Sequence, residues 1–268
     1  MQINTSGFYI HNIKKLAQSM SLFKSETEVR LVLCYSTGTI SVTSLILANV
    51  ALLQIVLRPT PTMDPSTILL QTPKDATKEK TSLYLSTIMF LRALHEATKF
   101  EATYCIIYPS DEALMLSSFD TDNREMSTFS IHHIAPPLED ILAGLPPIER
   151  EENSLVHVTR PARVLSEYFG TNADTEITTV QTGHMIWTTK DTLLTTRSNL
   201  YCTTSDTLRV DVTQTFLKGI MAFIKQTLVF LNQLPCTLMM GTDTPLHLFH
   251  SSPGISLDLI SGYMVDTT

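Results

Sequence analysis

An uncharged, apolar stretch over residues 37–57 constrains the fold of this chain more than any other feature. A run of about 20 such residues is long enough for a transmembrane helix. Its first half, however, alternates hydroxyl side chains with Ile40 and Val42, which is the period of a half-buried β-strand. After Asn49 the stretch is apolar on both faces, as in a strand that is covered on both sides. The pattern therefore predicts two strands joined by a short connection over 45–49, with a membrane helix as the alternative.

The composition is that of a chain with one large or two medium hydrophobic cores. The 268 residues are 43% hydrophobic, and only 17% are charged, which is below the roughly 25% of typical domains. A net charge of -7 argues against DNA binding over the whole surface, because counterion release needs clustered Lys and Arg. It still permits a local basic face, since the field depends on how charges are distributed.

The cysteines and the N-terminal sequence indicate the cellular compartment of the protein. The four cysteines are far apart and include no Cys-x-x-Cys pair, which is typical of isolated intracellular thiols. The N-terminus lacks the basic and apolar regions of a secretion signal. We therefore expect an intracellular protein.

Hydrophobic periodicity predicts the same order of elements twice: a helix, several strands, a second helix and several more strands. The predicted helices cover residues 9–24, 86–99, 160–169 and 212–226. The predicted strands, besides the pair in the apolar stretch, cover residues 29–35, 67–70, 101–108, 113–119, 126–133, 155–158, 177–180, 185–189, 199–203, 236–240, 245–250 and 256–264.

A proline-rich segment separates the two repeats. Residues 134–150 contain four prolines and no convincing period. We interpret them as a linker between a domain of residues 1–133 and a domain of residues 151–268. Leu142 and Leu145 are unusually apolar for a linker. They either pack against the nearest sheet or help to form a groove that accepts a short partner peptide, partly by strand addition.

Each of the four predicted helices places at least two basic residues off its apolar face. Together they hold eight of the 19 Lys and Arg residues: Lys14, Lys15, Arg92, Lys99, Arg160, Arg163, Lys218 and Lys225. Basic residues are ordinary on any solvated helix face, so the pattern alone is ambiguous. Because the chain is acidic overall, the presence of basic residues on every predicted helix is more informative. Such helices would hold DNA through its phosphates without reading bases.

The motifs that would indicate catalysis or a metal are absent from the sequence. It has no Gly-x-Gly-x-x-Gly, no phosphate-binding loop and no Gly-x-Ser-x-Gly. His132 and His133 are neighbours on a predicted strand, so their side chains point to opposite faces and do not chelate together. Residues 120–123 lack the rest of a calcium loop, and we interpret them as a turn. The sequence therefore predicts no enzyme, no cofactor and no metal site.

Several short motifs follow one another in a specific order. They are Ile13-Lys14-Lys15-Leu16, Asn49-Val50-Ala51-Leu52-Leu53-Gln54-Ile55-Val56-Leu57-Arg58, Leu91-Arg92-Ala93-Leu94-His95-Glu96-Ala97, Gly144-Leu145-Pro146, Ala162-Arg163-Val164-Leu165 and Thr244-Pro245-Leu246. In this order they resemble the first helix, a strand, the second helix, the interdomain loop, the third helix and the segment before the last strands of the DNA sliding clamp family, the proliferating cell nuclear antigen (PCNA) family.

The resemblance implies an α+β fold of two similar domains, each with two helices packed on antiparallel sheet. It implies that three chains close head to tail into a ring by pairing edge strands, here placed by position at residues 124–131 and 195–203. The helices would then face duplex DNA, and the ring would tether DNA polymerases and other replication or repair proteins after a clamp loader closes it. In a eukaryote or a virus that replicates in the nucleus, the expected location is the nucleus.

The resemblance also implies a pocket beneath the linker, where partner proteins dock a peptide containing glutamine and aromatic residues. By position, the pocket would comprise Leu45, Asn49, Val50, Leu52, Leu142, Leu145, Pro245, Ile260, Ser261 and Gly262.

Three alternatives remain open at this point. A subunit of the heterotrimeric DNA-damage checkpoint clamp would share the fold but pair with two different chains. An enzyme or small-molecule binder with a two-domain α+β fold belongs to another functional class. A membrane-associated protein is the third, and it depends on residues 38–57.

Overall fold

The computed structural model describes residues 7–46, 50–59, 70–71, 79–99, 102–136, 156–170, 173–180, 183–203, 206–208, 211–241, 244–262 and 264. The chain divides into two compact units. The first comprises Met1–Ser44, Gln54–Leu145 and Ser252–Leu257, and the second comprises Leu45–Leu53, Pro146–Ser251 and Asp258–Thr268. Among the described residues, no helix is both long enough and apolar enough to cross a membrane.

The elements follow the predicted alternation of helices and strands, and a strand precedes the first helix of each repeat. The first are β1 (Phe8–His11), α1 (Ile13–Met20), a 3₁₀ turn (Ser21–Phe23), β2 (Glu28–Cys34), β3 (Thr39–Ile46), β4 (Ala51–Leu57), β5 (Leu70–Gln71), β6 (Lys80–Ser86), α2 (Thr87–Lys99), β7 (Tyr104–Pro109), β8 (Ala113–Phe119) and β9 (Glu125–His132). The others are β10 (Val156–Pro161), α3 (Ala162–Ser166), β11 (Thr175–Val180), β12 (His184–Lys190), β13 (Thr195–Tyr201), β14 (Thr207–Leu208), β15 (Thr213–Phe216), α4 (Lys218–Leu231), β16 (Pro235–Met240), β17 (Leu246–Ser252) and β18 (Ile255–Ser261).

In the first unit, two sets of strands enclose a core with two helices. A five-stranded sheet has the order β5-β1-β7-β8-β9, and strands β6, β2, β3 and β4 lie side by side in that order. Helices α1 and α2 pack against each other. Phe8, Leu31 and Leu94 are fully buried, so a strand of each set and a helix contribute to the core.

The second unit repeats this arrangement. One sheet has the order β13-β12-β11-β15, and strands β14, β10, β16, β17 and β18 lie side by side in that order. Helices α3 and α4 pack against each other. Val158, Phe216 and Leu228 are fully buried.

The apolar stretch forms two strands, as the alternation of its side chains predicted. Because the stretch forms β3 and β4, the alternative of a single membrane helix is wrong. Residue 50 lies in the turn before β4. Leu53, Ile55 and Leu57 of β4 are buried, and the residues between them are half-buried. The second predicted helix and the two strands predicted after it are confirmed as α2, β7 and β8.

The N-terminal helix predicted over residues 9–24 is wrong at its start. Phe8 and Ile10 are buried while Tyr9 and His11 are half-buried, which is the period of a strand. The helix begins only after Asn12, whose side-chain oxygen accepts a hydrogen bond from the backbone N–H of Lys15 at 3.2 Å. Asn12 has a φ of 62°, a left-handed backbone that asparagine tolerates, so one residue turns the strand into the helix.

The helix predicted over residues 212–226 is displaced for the same reason. Gln214 and Phe216 are buried and Thr213 is exposed, so this part of the chain is the strand β15. The helix α4 starts only at Lys218. A short strand that leads directly into a helix produces apolar positions that a helical period also fits.

The helix predicted over residues 160–169 shrinks to the five residues of α3. Pro161 keeps an extended backbone, with φ of -53° and ψ of 133°, so the helix starts after it. Arg160 therefore lies in β10, opposite Cys236 of β16, and it is not a helical residue.

Candidate nucleic-acid interface and assembly edges

The four α-helices of the described residues concentrate the positive charge of an acidic chain. They carry one carboxylate, Glu96, and seven basic residues, whereas the whole chain has 26 acidic and 19 basic residues. The seven are Lys14, Lys15, Arg92, Lys99, Arg163, Lys218 and Lys225. An even distribution of charge would place more acidic than basic residues on these helices. Their sequence composition therefore favours contact with an anion such as the DNA backbone.

In the first unit, the basic side chains of α1 and α2 reach solvent. Lys14, Arg92 and Lys99 are exposed, and Lys15 is half-buried. Arg92 and Lys99 are two helical turns apart on one face of α2. Lys99 donates a 2.7 Å hydrogen bond to Glu96, and this bond lowers the pKa of the Glu96 carboxyl. Because both side chains are solvated, the pair adds little to stability.

In the second unit, α3 and α4 present the same kind of surface. Arg163 and Lys218 are exposed, and Lys225 is half-buried two turns after Lys218. The backbone N–H of Lys218 donates to the Asp174 carboxylate at 2.8 Å, so this side chain caps the first turn of α4. Asp174 is exposed in the loop before β11, and the N-terminus of a helix favours a carboxylate at such a position.

The prediction that Arg160 belongs to the DNA-binding helix surface is wrong. Its guanidinium is only 15% exposed and forks onto the Asp206 carboxylate, with N–O distances of 2.9 and 2.6 Å. Burial alone would raise the pKa of Asp206, but hydrogen bonds from Arg160 and Thr203 outweigh it, so this pKa lies below its ordinary value. The pair therefore stabilises the fold at neutral pH, and this contribution is lost as the pH falls through the lowered pKa.

Both segments proposed as pairing edges contain outermost strands. β9 ends the order of its sheet in the first unit, and β13 ends that of its sheet in the second. An outermost strand leaves a row of backbone N–H and C=O groups unpaired within its own sheet. β13 contains neither Lys nor Pro, residues that natural proteins use to protect such edges, and its one charged side chain is Arg197. The geometry suits both strands to pairing with another chain.

The register of β13 shows which of its backbone groups face outward. The backbone N–H of Cys202 donates to the carbonyl of Gly183 at 2.8 Å, so residue 202 points toward β12. Residue directions alternate along an antiparallel strand. Residues 195, 197, 199 and 201 therefore point their N–H and C=O groups toward the open side.

Seven of the ten residues proposed for the peptide pocket lie in the described part of the chain, all within the second unit. The structure brings Val50 and Gly262 together, because the Gly262 N–H donates to the Val50 carbonyl at 3.0 Å. Val50 and Pro245 are exposed, Ser261 is buried, and the half-buried members are Leu45, Leu52, Ile260 and Gly262. Asn49, Leu142 and Leu145 lie outside the described residues.

A buried glutamine that the sequence analysis missed positions the loop before Pro245. The side-chain amide of Gln214 donates to the carbonyls of Gly241 and Thr244 at 2.9 and 2.8 Å. Gln214 is only 2% exposed. In the sequence it resembles any other polar residue of a short strand, so its partners 27 and 30 residues later give no local signal.

No metal centre is found among the residues that the structure describes, since no three His, Cys, Asp or Glu side chains there are grouped to hold an ion. All four cysteines are free thiols. Burial raises the pKa of Cys105 and Cys236 to about 12. Hydrogen bonding to Ser36 lowers the pKa of Cys34 to about 7.

Comparison with known proteins establishes the fold. No protein-family profile matches the sequence, and no curated protein matches it. Among solved structures, the chain is similar to the proliferating cellular nuclear antigen of Entamoeba histolytica, with a TM-score of 0.70, 15% identity and coverage of 97% of this chain and 99% of the other. It is also similar to PCNA from Thermococcus kodakaraensis, with a TM-score of 0.69, 12% identity and coverage of 96% and 100%.

A third similar structure is the PCNA2–PCNA3 complex from Sulfolobus tokodaii, with a TM-score of 0.69, 9% identity and coverage of 96% of this chain and 98% of the other. Nearly the whole length is aligned in each case. The chain therefore has the mixed α+β, antiparallel-sheet fold of the PCNA clamps.

Proposed function

We propose that this protein is a DNA sliding clamp, a ring of three copies that encircles duplex DNA and tethers DNA polymerases and other replication or repair proteins. The observation that carries the proposal is the charge of the four helices, with seven basic residues and one acidic residue in a chain of net charge -7. The clamp fold gives that charge a role, since it supplies the helices that would face the DNA. The protein itself would catalyse no reaction.

The two outermost strands support assembly. A head-to-tail ring needs two different complementary edges on each chain. β9 supplies an edge in one unit and β13 supplies an edge in the other. Pairing these edges between copies would satisfy backbone groups that are unpaired within their own sheets.

Retention on DNA would be topological. A closed ring stays on the duplex without tight local binding, and basic side chains on the helices contact phosphates without reading bases. Such contacts are weak and exchangeable, so the ring slides. Its helices would reduce the electrostatic repulsion that an acidic chain meets near DNA.

A loading experiment on two DNA forms tests the proposal. The protein, loaded by a clamp loader, is expected to remain on nicked circular DNA through a high-salt gel filtration and to slide off the same DNA after linearisation. High salt removes phosphate contacts but not a topological link. Equal loss from circular and linear DNA would contradict the proposal. Light scattering on the free protein is expected to give three times the chain mass of 29.9 kDa.

The PCNA2–PCNA3 complex from Sulfolobus tokodaii is a structure of two different clamp chains together. A ring of mixed chains, such as a checkpoint clamp, is therefore the second candidate for this chain. A mass equal to one chain at high concentration would favour it. In a eukaryote or a virus that replicates in the nucleus, either ring would work in the nucleus.

Partner proteins would bind the peptide pocket, and its exposed Val50 offers the sharpest test. Val50→Glu is expected to weaken binding of a fluorescent peptide with a glutamine and two aromatic residues by about tenfold or more, since a buried apolar contact is replaced by a charge. Val229→Glu, on the exposed side of α4, is the matched control and should leave peptide binding unchanged. Peptide binding that is equal in both variants would place the pocket elsewhere.

A further inference from the structure

The end of β13 is held by a set of contacts around two charged side chains, here called the clasp and defined as Arg160, Asp206, Thr203 and the carbonyl of Tyr201. Arg160 forks onto Asp206 and also donates to the Tyr201 carbonyl at 3.2 Å. The Asp206 carboxylate accepts the backbone N–H of Thr203 at 2.6 Å and its hydroxyl at 3.1 Å. The Asp206 side chain is 1% exposed, so the clasp is built into the second unit.

The Tyr201 carbonyl is the part of the clasp that bears on pairing with another chain. Residue 201 is one of the outward-facing residues of β13, so its C=O lies on the side where a further strand would pair. Arg160 occupies this acceptor from within the same chain. The outward groups of Thr195, Arg197 and Asn199 precede it along the strand.

β13 has little else to fix the register of a partner strand. Register is normally set by an alternation of buried and exposed side chains, and strands that are polar on both faces are prone to slip. Only Leu200 is buried among the seven residues of β13. Its exposed residues are mostly small and polar, so a partner strand shifted by two residues would meet similar side chains.

We propose that the clasp ends the pairing edge of β13 at Asn199 and thereby sets the register in which a second copy of this chain docks its edge strand. The inference rests on the proposed ring. Arg160 is then a positioning residue for assembly, in place of the DNA contact that its sequence position predicted. The clasp sets register because the Arg160 guanidinium already engages the carbonyl that a slipped strand would otherwise use.

Assembly constants test the clasp first. The double variant Arg160→Gln/Asp206→Asn removes both charges, so neither partner is left as an unpaired buried ion. The dissociation constant for assembly of the double variant is expected to rise about tenfold or more, because a charge-assisted hydrogen bond at the edge is lost. Arg160→Lys should also weaken assembly, since an ammonium lacks the guanidinium fork.

Two controls separate this effect from others. Glu167→Gln removes an exposed charge seven residues away and should leave assembly unchanged. Ile177→Val shortens a buried side chain of β11 and lowers stability without touching the clasp. It should also assemble like the wild type, which would show that lower stability alone does not break the ring.

A cross-linking scan reads the register directly. In a background without Cys34 and Cys202, Asn199→Cys is combined with single cysteines placed along β9, and disulfide formation between copies is measured. The wild-type clasp is expected to give one dominant partner position. The double clasp variant is expected to spread cross-links to positions two residues away.

The outcomes distinguish the clasp from the ring itself. A wild-type chain that never assembles with itself overturns both this inference and the homotrimer. Wild-type assembly with an unchanged constant and an unchanged cross-link pattern in the double variant overturns the clasp alone. Weaker assembly with the same dominant cross-link also overturns it, because the clasp would then add affinity without setting register.

Discussion

Replacing Asn199 by proline is expected to convert the assembled protein into folded single chains. The N–H of residue 199 points away from β12, so its loss removes no hydrogen bond to that strand. Proline is tolerated in edge strands when its missing N–H faces outward. In a ring, the same change deletes a donor at every interface between copies and places a pyrrolidine ring in the path of the partner strand.

The expected size of this effect follows from the cost of a proline within a β-ladder. A partner carbonyl left without its donor in the interface costs about 1–3 kcal/mol, which corresponds to a loss of affinity of about 5- to 150-fold per interface. Light scattering over a dilution series measures it, and circular dichroism should show an unchanged fold. The ring contains this contact in each of its interfaces, so the population of closed rings should fall more steeply than a single interface predicts.

Two neighbouring substitutions complete the test. Asn199→Ala keeps the backbone donor and should assemble as the wild type does. Ser198→Pro removes an N–H that points toward β12, so it is expected to lower the melting temperature and to disrupt the sheet itself. A folded Asn199→Pro variant that still assembles normally would show that β13 is not a pairing edge.

The parts of the fold that sequence analysis predicted well are those with a local period. The two strands of the apolar stretch follow from alternating hydroxyl and apolar side chains, and α2 follows from its apolar face. β1 and β15 were missed because a strand of four residues leads into a helix after one residue. Over so few residues, a period of 2 and a period of 3.6 fit the same apolar positions.

The site was harder to predict because its contacts join residues that are distant in the chain. Arg160 has the charge and the spacing of a helical DNA contact, and only its pairing with Asp206, 46 residues later, shows a different role. Asp174 lies 44 residues before the helix that it caps. Sheet order is equally non-local, so the pairing edges were predicted from the resemblance to clamps and not from the residues of β9 and β13.

The structure describes only part of the proposed peptide pocket. The contact between Val50 and Gly262 supports its location, while Leu142 and Leu145 lie outside the described residues. The role of the pocket therefore stays a prediction that depends on the peptide-binding test. The basic helices are better supported, since the charges of seven of the eight proposed residues lie on α-helices.

Charge reversal on those helices is expected to abolish stimulation of a DNA polymerase while leaving assembly intact. The variant combines glutamate substitutions at four exposed positions, one on each helix: Lys14, Arg92, Arg163 and Lys218. Each substitution replaces a positive charge by a negative one and is repeated in every copy, so the face toward the DNA becomes strongly acidic. Since phosphate contacts dominate the affinity of such surfaces, loading and sliding should both fail.

A matched variant tests whether position matters more than total charge. It carries glutamate at four basic residues outside the α-helices, Lys24, Arg58, Lys80 and Lys190, and has the same net charge as the helix variant. Polymerase synthesis on primed circular DNA is measured for both, over a range of salt concentrations, with light scattering to confirm the ring. We expect processive synthesis to persist in the matched variant and to disappear in the helix variant. Equal stimulation by both variants would show that the helices do not face the DNA, because the two proteins have the same net charge and differ in where the glutamates lie.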